Sequence, residues 1–134
     1  MFTSSGIIRY FDIPLKVIVE VDPEIVNYYR ALVPKWITIN KQLHLPHISV
    51  IRNEVPTIWN KWKQRDGEKI DFQYSHDIKH GKVYYWLEAY SSDLEDLRVE
   101  LGMSANSDIT RPPDHHDCFH ITIGNMKEIN LGVR

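Results

Sequence analysis

The alternation of apolar and polar positions along the chain, interrupted by two stretches of helical period, divides it into recognisable elements. Lys16–Val21 alternates and is β-branched, which predicts a strand. Asp22-Pro23 follows as a helix start, with Asp22 as N-cap and Pro23 at the first helical position. Ile25, Tyr28, Tyr29 and Leu32 then fall at helical spacing, and Pro34 stops the run. A short extended piece, Trp36–Ile39, leads through Pro46 into a strand at His47–Arg52. Trp59 and Trp62, after Pro56, predict a short helix, and Asp66-Gly67 a turn. Ile70, Phe72 and Tyr74 alternate, as do Val83, Tyr85 and Leu87; with His80-Gly81 between them they predict an antiparallel hairpin. A further helix follows Ser91-Ser92-Asp93, carries Leu94, Leu97, Val99 and Leu101, and ends at Gly102. The polar, proline-bearing stretch Ser104–Asp117 is a loop into the last strand.

These elements recur in one order. Strand, helix and strand occupy Lys16–Arg52, and hairpin, helix and strand occupy Ile70–Asn125. Two similar α+β halves predict that the two terminal strands lie near a pseudo-two-fold axis and face one cleft.

Those two strands carry the same string. His47-Ile-Ser-Val50 and His120-Ile-Thr-Ile123 each read histidine, apolar, small hydroxyl, apolar, 73 positions apart. On a strand, residues i and i+2 share a face. Each string therefore sets an imidazole beside a hydroxyl on one face and anchors two β-branched residues on the other. Brought together, the strands offer a base, an acid and two hydrogen-bond donors, the set needed to cleave a phosphodiester without a metal.

Paired His-apolar-Ser/Thr-apolar strands resemble those of the 2H phosphoesterase superfamily. The segments Gly6-Ile-Ile-Arg-Tyr-Phe11, Lys16-Val-Ile-Val-Glu-Val-Asp22, Pro46-His-Ile-Ser-Val-Ile-Arg-Asn-Glu54, Tyr84-Tyr-Trp-Leu87 and Cys118-Phe-His-Ile-Thr-Ile-Gly-Asn125 are similar to its phage anti-CBASS branch. The resemblance spans about Gly6 to Asn125 and departs at Ser49, where many relatives carry threonine. It implies a bilobal α+β fold of two antiparallel-sheet halves, helices outside and a central cleft. It also implies cleavage of the 3′–5′ linkages of cyclic di- or trinucleotide immune signals, with His47, Ser49, His120 and Thr122 as catalytic residues and no cofactor. A viral protein of this kind would evade host immunity from the host cytoplasm. Related readings are action on RNA 2′,3′-cyclic phosphate ends, and a non-catalytic sponge for a cyclic nucleotide.

Composition narrows the partners. At 134 residues, with 43% hydrophobic and 25% charged positions, the chain predicts one soluble domain spanning 1–134. Neither a membrane-length apolar run nor a signal-peptide pattern occurs in the sequence given. One cysteine, Cys118, forms no intrachain disulfide and fits a reducing cytoplasm. A formal net charge of −2 argues against long nucleic acid and for a small anionic ligand held by local cations.

Candidate substrate contacts are Tyr10 and Arg9, placed before the first strand, Lys16, and Trp86. Trp86 either stacks a base or packs in the core; Arg9 and Lys16 either meet phosphate or are solvated charges. Arg52, at i+5 from His47, is expected on the opposite face. The string Asp114-His115-His116-Asp117-Cys118-Phe119-His120 invites a zinc reading. Its ligand types are adjacent in one loop, and only His44 and His47 stand elsewhere to complete a set, so the two-histidine mechanism without metal is preferred.

Overall fold

The computed structural model of the protein describes residues 1–37, 39–42, 44–106 and 118–127. Seven strands and two helices run in the order β1 (Phe2–Asp12), β2 (Leu15–Glu20), α1 (Pro23–Leu32), β3 (His47–Arg52), β4 (Lys69–Tyr74), β5 (Lys79–His80), β6 (Tyr84–Tyr90), α2 (Ser92–Glu100) and β7 (Phe119–Asn125). The class is α+β, and every strand pairing is antiparallel. One sheet has the order β4-β1-β2-β3-β7-β6-β5, and β4 also pairs with β6, closing six strands into a barrel. That closure uses only Gln73↔Tyr90 and Tyr74↔Ala89.

The order is symmetric about the β3–β7 line. β1-β2-α1-β3 on one side is matched by β5-β6-α2-β7 on the other, with β4 as the added strand. Both helices begin as their sequences dictate. The Asp22 carboxylate accepts from Glu24 N–H (3.0 Å) with Pro23 at the start of α1, and Ser91 Oγ accepts from Leu94 N–H (3.3 Å). Gly102, at φ 79°, ends α2 and lets Met103 N–H reach the Arg98 carbonyl.

One face of the sheet is the core. Ile8, Val19, Ile48, Ile121 and Leu87 lie on neighbouring strands and are fully buried together with Leu94 and Leu97 of α2. Each contributes about 1.5–3 kcal/mol of burial. The opposite face carries the polar positions.

Four elements differ from expectation, the first being the piece at Trp36 and Ile37, which turns, with Ile37 N–H donating to the Pro34 carbonyl at 2.9 Å, where an extended segment is expected. β1 has no counterpart among the expected elements, because the inward positions of its first half are Ser4 and Gly6 and provide no apolar alternation. The region of Trp59 and Trp62 forms successive turns rather than a helix; Lys63 at φ 67° breaks the helical path. The His80-Gly81 turn joins β5 to β6, whereas β4 meets β6 only at the barrel seam.

Candidate active site

The register of the central strands assembles the two strings. Ile48 pairs with Ile121 across β3 and β7. Continuing that register sets His47 opposite Thr122 and Ser49 opposite His120, on the face away from the core. A local two-fold through the Ile48–Ile121 pair therefore exchanges His47 with His120 and Ser49 with Thr122. Directly opposite side chains lie about 4.5–5.5 Å apart at Cβ and diagonal ones about 7–8 Å. Two imidazoles on such a diagonal can flank one phosphate while the hydroxyls reach its oxygens.

The flanking strands extend the symmetry. Glu20 of β2 pairs with His47, and Glu88 of β6 pairs with His120. Ile18 pairs with Ser49, and Trp86 with Thr122. The face thus carries two rows, Glu20-His47-Thr122-Trp86 and Glu88-His120-Ser49-Ile18. Each row reads carboxylate, imidazole, hydroxyl, apolar, and the two run in opposite senses.

Both strings also end in a β-bulge. Val17 pairs with Ile51 and Ile18 with Ser49, so Val50 is the extra residue of β3. Tyr85 pairs with Gly124 and Trp86 with Thr122, so Ile123 is the extra residue of β7. A bulge resets side-chain parity beyond it. Val50 and Ile51 are consequently both fully buried, and Arg52 returns opposite Lys16 on the polar face. The expectation that Arg52 faces away is corrected, since the i+5 count assumed an unbroken strand.

His47 has a defined tautomer when neutral. Its Nδ1 lies 2.7 Å from the Leu45 carbonyl, which only accepts; Nδ1 therefore carries the proton and Nε2 offers its lone pair. Burial holds the imidazole below the ordinary histidine value. The positive fields of Lys16, His44 and Arg52 push the same way, against the Leu45 carbonyl. His120 is half-buried beside a buried group. Glu88 is 6% exposed, Cys118 Sγ points to its carboxylate at 3.9 Å, and burial with Cys118 and Glu88 nearby raises the Tyr90 phenol to about 12.

Of the expected substrate contacts, Arg9, Lys16 and Trp86 share this face. Arg9 is tied to Glu20 at 2.8 Å, and the Lys16 ammonium sits 4.9 Å over the Phe11 ring. Trp86 is only 2% exposed and its indole N–H has no hydrogen-bond partner among the described residues. Tyr10 does not join them. It pairs with Val17 on the core face, packs edge-on against Trp62 at 5.0 Å, and its phenol is raised to about 12, chiefly by burial. Proximity in the chain does not reveal this, because the first half of β1 carries no apolar alternation to set its parity.

Asp114, His115, His116 and Asp117 lie outside the described residues. Among the described residues no three His, Cys, Asp or Glu side chains converge as metal ligands, and no helix is long and apolar enough to cross a membrane. No protein-family model, curated protein or solved structure matches the chain.

Proposed function

We propose that this protein is a metal-independent phosphodiesterase of the two-histidine kind that opens 3′–5′ linkages of small cyclic oligonucleotides, using no cofactor. The carrying observation is the dyad-related His47, Ser49, His120 and Thr122 on adjacent strands of one polar face. The match of β1-β2-α1-β3 to β5-β6-α2-β7 supports reading the barrel as two joined lobes of the 2H phosphoesterase type. The net charge of −2, with cations near His47, favours a small anionic substrate over long nucleic acid. Resemblance to the anti-CBASS branch makes the substrate a cyclic immune signal in the host cytoplasm.

In this reading a ribose 2′-hydroxyl of the substrate attacks the adjacent phosphorus. His47, with Nε2 unprotonated, takes the 2′-hydroxyl proton, and protonated His120 delivers one to the departing 5′-oxygen. Ser49 and Thr122 hydroxyls donate to the non-bridging oxygens as charge moves onto them. The P–O5′ bond breaks as the P–O2′ bond forms, leaving a 2′,3′-cyclic phosphate that water then opens to a 3′-phosphate.

The test compares three substrates in EDTA: a cyclic dinucleotide, its bis-2′-deoxy analogue, and an RNA with a 2′,3′-cyclic phosphate end. We expect cleavage of the first through a 2′,3′-cyclic intermediate, and binding without cleavage of the second. Preference for the RNA end moves the protein to RNA-end processing. Intact cyclic dinucleotide recovered after heat denaturation makes it a sponge. Turnover of the deoxy analogue removes the internal nucleophile, and activity lost in EDTA but restored by zinc overturns the metal-free chemistry.

A further inference from the structure

The bulge at Val50 has a dedicated support. Arg98 of α2 is 1% exposed, and its Nη1 donates to the Val50 carbonyl at 2.9 Å. The same guanidinium grips the Glu54 carboxylate with two bonds of 3.0 Å and the Ser104 carbonyl at 2.7 Å. A fully buried charge thus fixes the one irregularity that turns Arg52 toward the polar face.

The result is an arrangement that stability alone disfavours. Lys16 and Arg52 are direct cross-strand partners, and like charges placed so destabilise a sheet. Among the described residues Lys16 and Arg52, like Arg30 and most of the lysines, meet no carboxylate, so no anion among those residues offsets their mutual repulsion. The counterpart positions on the other half are Tyr84 and Asn125. There Asn125 is buried and bonded to Asn40 and Gln42, with Lys127 stacked over Tyr84. Lys16 lies three residues along β2 from Val19, which pairs with Ile48 at the centre of the quartet, a rise of about 10 Å that places the cation pair beside the histidines on the same face.

We propose that Lys16 and Arg52 form a second anion subsite, which holds a phosphodiester flanking the one between the two histidines. The subsite rests on the phosphodiesterase reading of the quartet and adds to it a preference for substrates with more than one phosphate.

The experiment measures Arg52→Gln and Lys16→Gln on a cyclic dinucleotide and on a 2′,3′-cyclic mononucleotide, which has a single phosphate. The ratio of KM between the substrates is expected to shift about tenfold against the dinucleotide, the size of a lost charge-assisted bond. Arg52→Lys should restore most of it, and the salt dependence of dinucleotide KM should become shallower in both Gln variants. Equal effects on the two substrates, or none, overturn the subsite. If the wild type turns over neither substrate, calorimetric titration with the intact cyclic dinucleotide separates the two ideas. Weaker binding by Arg52→Gln then keeps the subsite while catalysis fails, and unchanged or absent binding overturns it.

Discussion

β3 and β7 present the same string, bulge and cross-strand carboxylate, yet the two halves support them with different chemistry. On the β3 side a buried guanidinium holds the bulge, and the backbone carbonyl of Leu45 orients His47. On the β7 side the bulge is followed by a backbone bridge, Asn40↔Asn125, and Gly124 lets Ile39 and the Asn40 carbonyl approach closely. There His120 faces a buried Glu88. Glu20, the counterpart carboxylate, is half-exposed and already paired with Arg9. The symmetric backbone supplies geometry, and on the phosphodiesterase reading the unlike surroundings divide the proton work. Desolvation and nearby cations hold His47 below the ordinary value and suit it to accept a proton, which leaves His120, beside Glu88, as the donor in that reading.

The sharpest way to break this comparison is a substrate whose leaving group needs no acid. His47→Ala and His120→Ala should each cost about 10²–10⁴-fold in rate on a 3′–5′ linkage. With a nitrophenyl ester of a ribonucleoside 3′-phosphate, His120→Ala should recover most of its loss and His47→Ala should not. Equal recovery in both would dissolve the division of labour.

Next in size is the difference between the bulge supports. Arg98→Met leaves the half-buried Glu54 carboxylate and the Val50 and Ser104 carbonyls without their buried partner and should cost about 3–5 kcal/mol in a urea melt. Asn40→Ala removes one side-chain bond to the Lys127 carbonyl, leaves the backbone bridge in place, and should cost about 0.5–1.5 kcal/mol. Similar losses would mean that the two bulges are held alike.

The smallest effect is in pH. Because His47 is held below the ordinary value of 6.5, activity that needs its neutral form should persist as pH falls through 6.5. The acid limb of kcat/KM should fall off only below that value. Arg52→Gln removes one of the fields that favour neutral His47, so the limb should move upward, toward 6.5. A downward move in a kcat/KM profile would contradict the assignment of that limb to His47.

Much of this was legible in the sequence wherever signals are local. Asp22-Pro23 opens α1 as its sequence indicates, α2 starts within the Ser91-Ser92-Asp93 run that is expected to precede it, and the two strings lie on one face of adjacent strands. Parity was the limit. A bulge adds a residue without changing composition, so a count from His47 puts Arg52 on the wrong face and hides its pairing with Lys16. β1 hid behind Ser4 and Gly6, and with it the inward direction of Tyr10. The barrel seam joins residues distant in sequence through two pairs, which leave no periodic trace.

The Ile48–Ile121 pairing has a further consequence for fidelity. A slip of β7 by one residue against β3 would carry His120 and Thr122 into the apolar interior and expel Ile121 to water. Expelling that isoleucine costs about 1.5–3 kcal/mol, before the penalty for the polar groups that replace it. The core therefore proofreads the pairing of the two strings against every one-residue slip, the register error that would turn their histidines inward.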